Sequence, residues 1–155
     1  IDNGQPWRAK HRRTLEQNYG KAPHYAEYEA FLDELYSQKW ERLVELNAYL
    51  LGHLLRILGI KTRVVMASSL DVPGVATQRL INLIKAVGGT RYYSGAYALD
   101  TYLDANLLQK AGIGLELQEW HAPVYPQLYG EFESDLSIID LLMNCGPDSL
   151  RILMQ

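Results

Sequence analysis

A single cysteine, Cys145, leaves nothing for it to pair with inside the chain. With no secretory signal opening the sequence, this predicts a reducing, cytoplasmic setting and no disulfide framework. Long hydrophobic runs are also missing. The longest, residues 48–58, is broken by Gly52, His53 and Arg56 and falls short of the roughly 20 apolar residues of a membrane span, so none is expected. Basic residues are scarce in the second half, with none between Lys110 and Arg151. Residues 1–63 carry ten Lys and Arg against eight Asp and Glu, while residues 64–155 carry five against ten, which gives the net charge of −3. A nucleic-acid partner is not expected from this balance, because phosphate neutralisation needs clustered cations. The local exception, Arg8, Lys10, His11, Arg12 and Arg13, reads as a solvated helix face.

Several chemical signatures are absent as well. No second His or Cys stands at ligand spacing from His121, so no metal site is expected. There is no glycine-rich dinucleotide or Walker pattern, Pro73-Gly74 being an ordinary turn, and no nucleophile elbow surrounds Ser94. Internal repeats and low-complexity tracts are missing, and nothing in the residues names a cofactor, which stays unknown.

What is present suits one globular domain: 155 residues, 48% hydrophobic and 21% charged. The expected fold class is α/β, a three-layer, Rossmann-like arrangement in which an N-terminal helical segment packs on a small parallel sheet with alternating helices. Residues 1–58 form the helical subregion; residues 59–155 hold the strand–helix alternation and the C-terminal helices. The chain opens on Ile1 and runs through a turn to Pro6, so a longer natural protein is expected.

The first helix is predicted from about Pro6 to Asn18, ending at Gly20 in the left-handed conformation. The second starts at Pro23 and places Tyr25, Tyr28, Phe31, Leu32 and Leu35 at helical spacing. A third carries a stripe from Trp40 through Leu43, Val44, Leu50, Leu51, Leu54 and Leu55 to Leu58, closed by Gly59, and is expected to be buried along most of its length. The period then changes. Strands are predicted at Lys61–Ala67, Arg91–Tyr93 and Ile113–Glu119, separated by a helix from about Thr77 to Val87 and by helical turns around 100–103 and 105–111. Alternation of this kind implies a parallel sheet, because parallel neighbours need long connections. A helix is expected to begin at Ser137 and end at Cys145-Gly146-Pro147, with a short last helix after it.

In an open parallel sheet, ligands sit beyond the carboxyl ends of the strands. Three polar clusters are expected there. Ser68 and Ser69 lead to a helix start with Arg79, a combination suited to an anion, although serines of this kind equally satisfy turn amides. Ser94 and Gly95 follow the second strand, with Tyr102 close behind, and suit ligand binding or a plain strand-end turn. His121 follows the third strand. It titrates near neutrality and is the candidate acid or base, and alternation along an extended backbone points Tyr125 and Gln127 the same way. Asn47 interrupts the apolar stripe of the third helix, where a buried amide needs a partner, in the core or on a ligand. Lys10, on the first helix with Trp7 and His11, can add a cation to a cleft.

An ordered set of motifs runs through the chain: Pro6-Trp7 with Lys10-His11, Tyr19-Gly20, Ala22-Pro23, Leu46-Asn47, Leu58 to Thr62, Ser68-Ser69, Arg79-Leu80, Tyr93-Ser94-Gly95, Tyr102-Leu103, Pro123 to Gln127, Phe132, Leu136-Ser137, Asp140-Leu141-Leu142 and Asn144-Cys145-Gly146. In order and spacing it resembles the WbqC-like family. The resemblance implies a role in O-antigen or related surface-polysaccharide synthesis, with glycine or another aminoacyl group transferred to an amino sugar. It also implies that a family N-terminal segment with a Pro/Tyr/Trp-rich motif is missing here, and that His121-Ala122-Pro123 departs from a commoner His-Pro pair. The expected partner is a small-molecule substrate, a nucleotide sugar. The alternatives are a non-catalytic sugar-nucleotide binding or assembly protein of the same pathway, and an interaction domain using its aromatic loop.

Overall fold

The structure, a computed structural model, describes residues 1–155. The chain divides into two compact units, one formed by Ile1–Thr62 with Ala122–Gln155 and the other by Arg63–His121. The C-terminal helices thus belong with the N-terminal ones, and the sheet lies in the inserted segment. Together they make a mixed α/β fold, as the alternating pattern implied.

In the first unit, α1 (Trp7–Tyr19), α2 (Tyr25–Ser37) and α3 (Leu43–Ile57) precede α7 (Ile138–Cys145) and α8 (Ser149–Leu153). The spacing in α2 turns Tyr25, Tyr28, Phe31, Leu32 and Leu35 to one side, where they are buried with Trp40, Leu142 and Met143. A short turn ties α7 back, since the His24 amide donates to the Met143 carbonyl at 3.0 Å. Ser137 caps α7 by accepting from the Ile139 amide at 3.3 Å. Arg12 of α1 reaches across to α2, with Nε on Asp33 at 2.6 Å and one terminal nitrogen on the Tyr25 hydroxyl at 2.6 Å.

Several features differ from the sequence expectation. Gly20 is right-handed (φ −60°), not left-handed; its amide donates to the Glu16 carbonyl, and a Cβ there would lie 2.6 Å from that oxygen. Close approach is what favours glycine at this position. The stripe of α3 is only half used: Leu46, Tyr49, Leu50, Leu54 and Ile57 pack on the core, whereas Leu43, Val44 and Leu51 are exposed and no residue of the helix is fully buried. Its apolar residues cover more of the helix circumference than a single contact face can bury. Asn47 is exposed too, so the premise of a buried amide in need of a partner does not hold. Trp40 lies before the helix, buried, with its indole N–H on the Leu35 carbonyl at 2.9 Å.

In the second unit, α4 (Ala76–Ala86), β1 (Arg91–Gly95), α5 (Tyr97–Thr101), α6 (Ala105–Lys110) and β2 (Gly114–Gln118) follow in order. The two strands pair in parallel with Arg91 opposite Gly114 and Gly95 opposite Gln118. Between them α5 and α6 supply the crossover that parallel pairing demands. Ile81, Ala98, Leu103, Leu108 and Ile113 form the core. Asp104 caps α6, accepting from the Asn106 and Leu107 amides at 2.9 and 3.2 Å. Thr77 is buried and pins α4 to the crossover: its hydroxyl donates to the Tyr102 carbonyl at 3.1 Å and accepts from the Asp104 amide at 2.9 Å.

The strand expected at Lys61–Ala67 is absent. Residues 60–66 have no regular structure, and Ala67–Ser69 form a 3₁₀ turn. A β-branched run becomes a strand only when a neighbour supplies ladder partners, and here β1 and β2 pair with each other alone. Val64 and Met66 accordingly stay exposed. No helix is long and apolar enough to cross a membrane.

Candidate functional site

The parallel register sets the carboxyl ends of β1 and β2 side by side, since Gly95 faces Gln118. The chain therefore leaves the sheet at one edge twice, once into Ala96-Tyr97 and once into Glu119-Trp120-His121. Ser94 and Gly95 lie within β1 rather than after it. Ser94 is buried, and its hydroxyl makes only a long contact with the Gly95 carbonyl at 3.3 Å. Gly95 has open space where a Cβ would stand. Around this edge the aromatic residues are unusually accessible: Tyr97 is 76% exposed, Tyr102 54% and Trp120 50%. His121 is exposed, with no side-chain hydrogen bond to orient it.

The third cluster differs. Ser68 and Ser69 are exposed in the 3₁₀ turn, where the Ser69 hydroxyl donates to the Met66 carbonyl at 2.7 Å, so one of the two serines stabilises its own turn. Arg79 is exposed on α4 and forms no ion pair. Ala76, at the start of α4, has φ +45°, a rare conformation for a residue with a Cβ.

Tyr125 and Gln127 belong to the first unit, where they converge on a residue that pattern reading passed over. Asp140, on α7, is 5% exposed. Its carboxylate accepts from the Tyr125 hydroxyl at 2.9 Å and from the Gln127 amide at 3.1 Å. Burial, followed by the charge of the nearby Asp140 carboxylate, pushes the Tyr19 hydroxyl up to about 12. Burial likewise raises Tyr125. Both phenols are therefore neutral at physiological pH, and Tyr125 is the one that donates to Asp140. Gln127 also clasps its own loop, donating to the Glu133 carbonyl at 2.9 Å and accepting from the Glu133 amide at 2.9 Å. The Tyr125 ring meets Phe132 edge to face at 5.5 Å. With its donors supplied, Asp140 anchors the 125–133 loop on α7. The signal in the sequence is a lone acid inside the apolar run Ile138 to Met143, because a carboxylate on a buried helix face must find donors.

Lys10 is exposed on α1 and makes no ion pair, and Asn47 is exposed on α3; neither bonds to Asp140, Tyr125 or Gln127. Cys145 is half-buried beside Asp140 and Asp148, and burial pushes its thiol up, away from the reactive thiolate.

The chain matches the model of the WbqC-like protein family over residues 1–152. It is 35% identical over 160 aligned positions to an uncharacterised protein of Mycobacterium tuberculosis (strain ATCC 25618 / H37Rv), Rv1507c, an alignment that covers all of this chain and 69% of that one. No solved structure matches. On a family match that runs nearly from end to end, the chain belongs to the WbqC-like protein family.

Proposed function

We propose that the protein acts in the synthesis of surface polysaccharide as a transferase or ligase, forming an amide on a nucleotide-linked amino sugar at the carboxyl edge of β1 and β2. Membership of the WbqC-like family supports the polysaccharide setting. The observation that carries the site is the register, which sets Gly95 beside Gln118 and so starts the Ser94 and His121 segments from neighbouring positions. Ligands of open parallel sheets bind at this end. Exposed tyrosine and tryptophan rings suit the apolar face of a sugar or base.

In the reaction, the amine of the sugar attacks the carbonyl carbon of an activated acyl donor, glycyl or another aminoacyl group. The C–N bond forms, the bond to the donor's leaving group breaks, and the His121 imidazole takes the amine proton. Ser94 and Tyr102 orient sugar hydroxyls, and Arg79, in the first turn of the helix that Thr77 ties to Tyr102, holds the diphosphate. Tyr125 and Gln127, engaged by Asp140 and Glu133, serve by shaping their loop.

Incubating the intact protein with nucleotide amino sugars, amino acids and ATP, followed by mass spectrometry, is expected to show a product heavier by one acyl group. His121→Ala should abolish it while leaving sugar-nucleotide binding in place. One observation favours a second reading, a sugar-nucleotide binding or assembly protein without catalysis: His121 has no partner to orient its ring. That reading predicts thermal stabilisation by the sugar nucleotide and no product from any member of the panel. An interaction domain predicts neither.

A further inference from the structure

The helical unit holds a groove that none of these residues occupies. It has a volume of about 660 Å³ and lies between the first turn of α1 and the last turn of α2, with Pro6, Arg8, Ala9, Arg12, Asp33 and Tyr36 on its walls. Such a volume is in the range of small-molecule sites. The two arginines differ in their electrostatic state. Arg12 is neutralised by Asp33 at 2.6 Å and Glu29 at 3.4 Å, and Glu16 lies 3.9 Å away. Arg8 has no carboxylate at all: one terminal nitrogen donates to the Gln38 and Ser37 carbonyls at 2.7 and 3.3 Å, which leaves Nε and the other terminal nitrogen without a protein acceptor. Asp33, the one carboxylate on the groove wall, is held by Arg12.

The end of α1 adds to the same field. Pro6 stands at the N-cap and offers no side-chain acceptor, and no acidic residue occupies the first turn. The amides of Trp7, Arg8 and Ala9 therefore have no intrachain partner where the helix dipole is positive. A half-buried guanidinium without a counter-ion, in a groove of ligand size, is a site short of one negative charge.

We propose that this groove binds the oxyanion of a small molecule, a phosphate ester or a carboxylate, through the free edge of Arg8 and the first-turn amides of α1. Tyr36, Pro6 and Ala9 line the apolar remainder. The site lies in the helical unit and stands or falls apart from the amide-forming reaction proposed above.

The test is a ¹H–¹⁵N titration of the intact protein with inorganic phosphate and, separately, with acetate, at constant ionic strength set by chloride. Saturable shifts at Trp7, Arg8 and Ala9 are expected. Saturation by phosphate alone identifies a phosphate ester, and saturation by acetate alone a carboxylate. Arg8→Gln should weaken binding by about tenfold or more, the scale of a charge-assisted hydrogen bond. Because that variant also loses the bonds to Ser37 and Gln38, Ala9→Glu is the second probe. It places a carboxylate in the first turn, where it favours the helix, and should abolish binding while leaving Tm unchanged or higher. Absence of saturable shifts, or equal affinity in Ala9→Glu, would overturn the proposal.

Discussion

Asp140 shows how much one buried group can organise. Replacing it with Ala leaves the Tyr125 and Gln127 donors without their acceptor inside the fold, and each stranded donor costs about 1–3 kcal/mol. Asp140→Ala should therefore destabilise the protein by roughly 2–4 kcal/mol in urea unfolding. Gln127→Ala should cost less, because Tyr125 retains its bond, and the double variant should fall short of the sum since both act on one network. A second residue-scale effect depends on pH. His53 stacks on Phe31 at 3.6 Å, and burial, followed by the neighbouring Arg56, lowers its folded pKa below the usual histidine value. The unfolded chain thus takes up the proton first as pH falls, so this contribution is present above pH of about 6.5 and is lost below it. Urea midpoints at pH 7.5 and 5.0 should differ less in His53→Phe than in the parent protein. At the alkaline end the sign reverses. Tyr19, at about 12, should be the last tyrosine to ionise in a titration followed at phenolate absorbance, and its contribution is present below about pH 10 and lost between there and 12.

At the scale of elements, the amphipathic pattern is a better guide to where a helix forms than to what it touches. The α2 stripe became core at each of its five apolar positions, Tyr25 to Leu35, because α1, α3 and α7 supply apolar neighbours for it. The α3 stripe wraps further round its helix, and Leu43, Val44 and Leu51 stay in solvent. Leu32→Ala should destabilise by about 2–5 kcal/mol, as truncations of fully buried leucines do, whereas Leu51→Ala should stay within about 0.5–1 kcal/mol in the same unfolding assay. Strands were legible where a partner lay within reach through one crossover. Arg91–Gly95 and Gly114–Gln118 meet that condition, but Val64-Val65-Met66, although apolar and β-branched, finds no ladder. Gly146 adds a backbone constraint that pattern does not show: φ is +50°, and a Cβ would run into the His24 ring. Gly146→Ala should cost about 2 kcal/mol or more.

For the whole molecule, two separate cores imply two levels of local stability. The helical unit buries nine residues in its core, among them Leu32, Leu35, Leu142 and Met143, while the other unit buries five around Leu108 and holds a sheet of only two strands, an element that is marginal by itself. Native-state hydrogen exchange should accordingly find the slowest amides in α2 and α7 and faster exchange in β1 and β2.

Sequence by itself determined the mixed α/β class, the helix positions to within a few residues, the α2 core face and the family, because those depend on local period, caps and the order of motifs along the chain. It also singled out Tyr125 and Gln127, yet not the carboxylate they share. Only the tertiary structure decided that Asp140 gathers Tyr125 and Gln127, that the Lys61–Ala67 run stays unpaired, that Asn47 faces solvent, and that Arg8 lines a groove without a counter-ion. Each of these depends on which group lies opposite in space, and a hydrogen bond, a ladder or an ion pair is complete only when a residue distant in the chain supplies the other half.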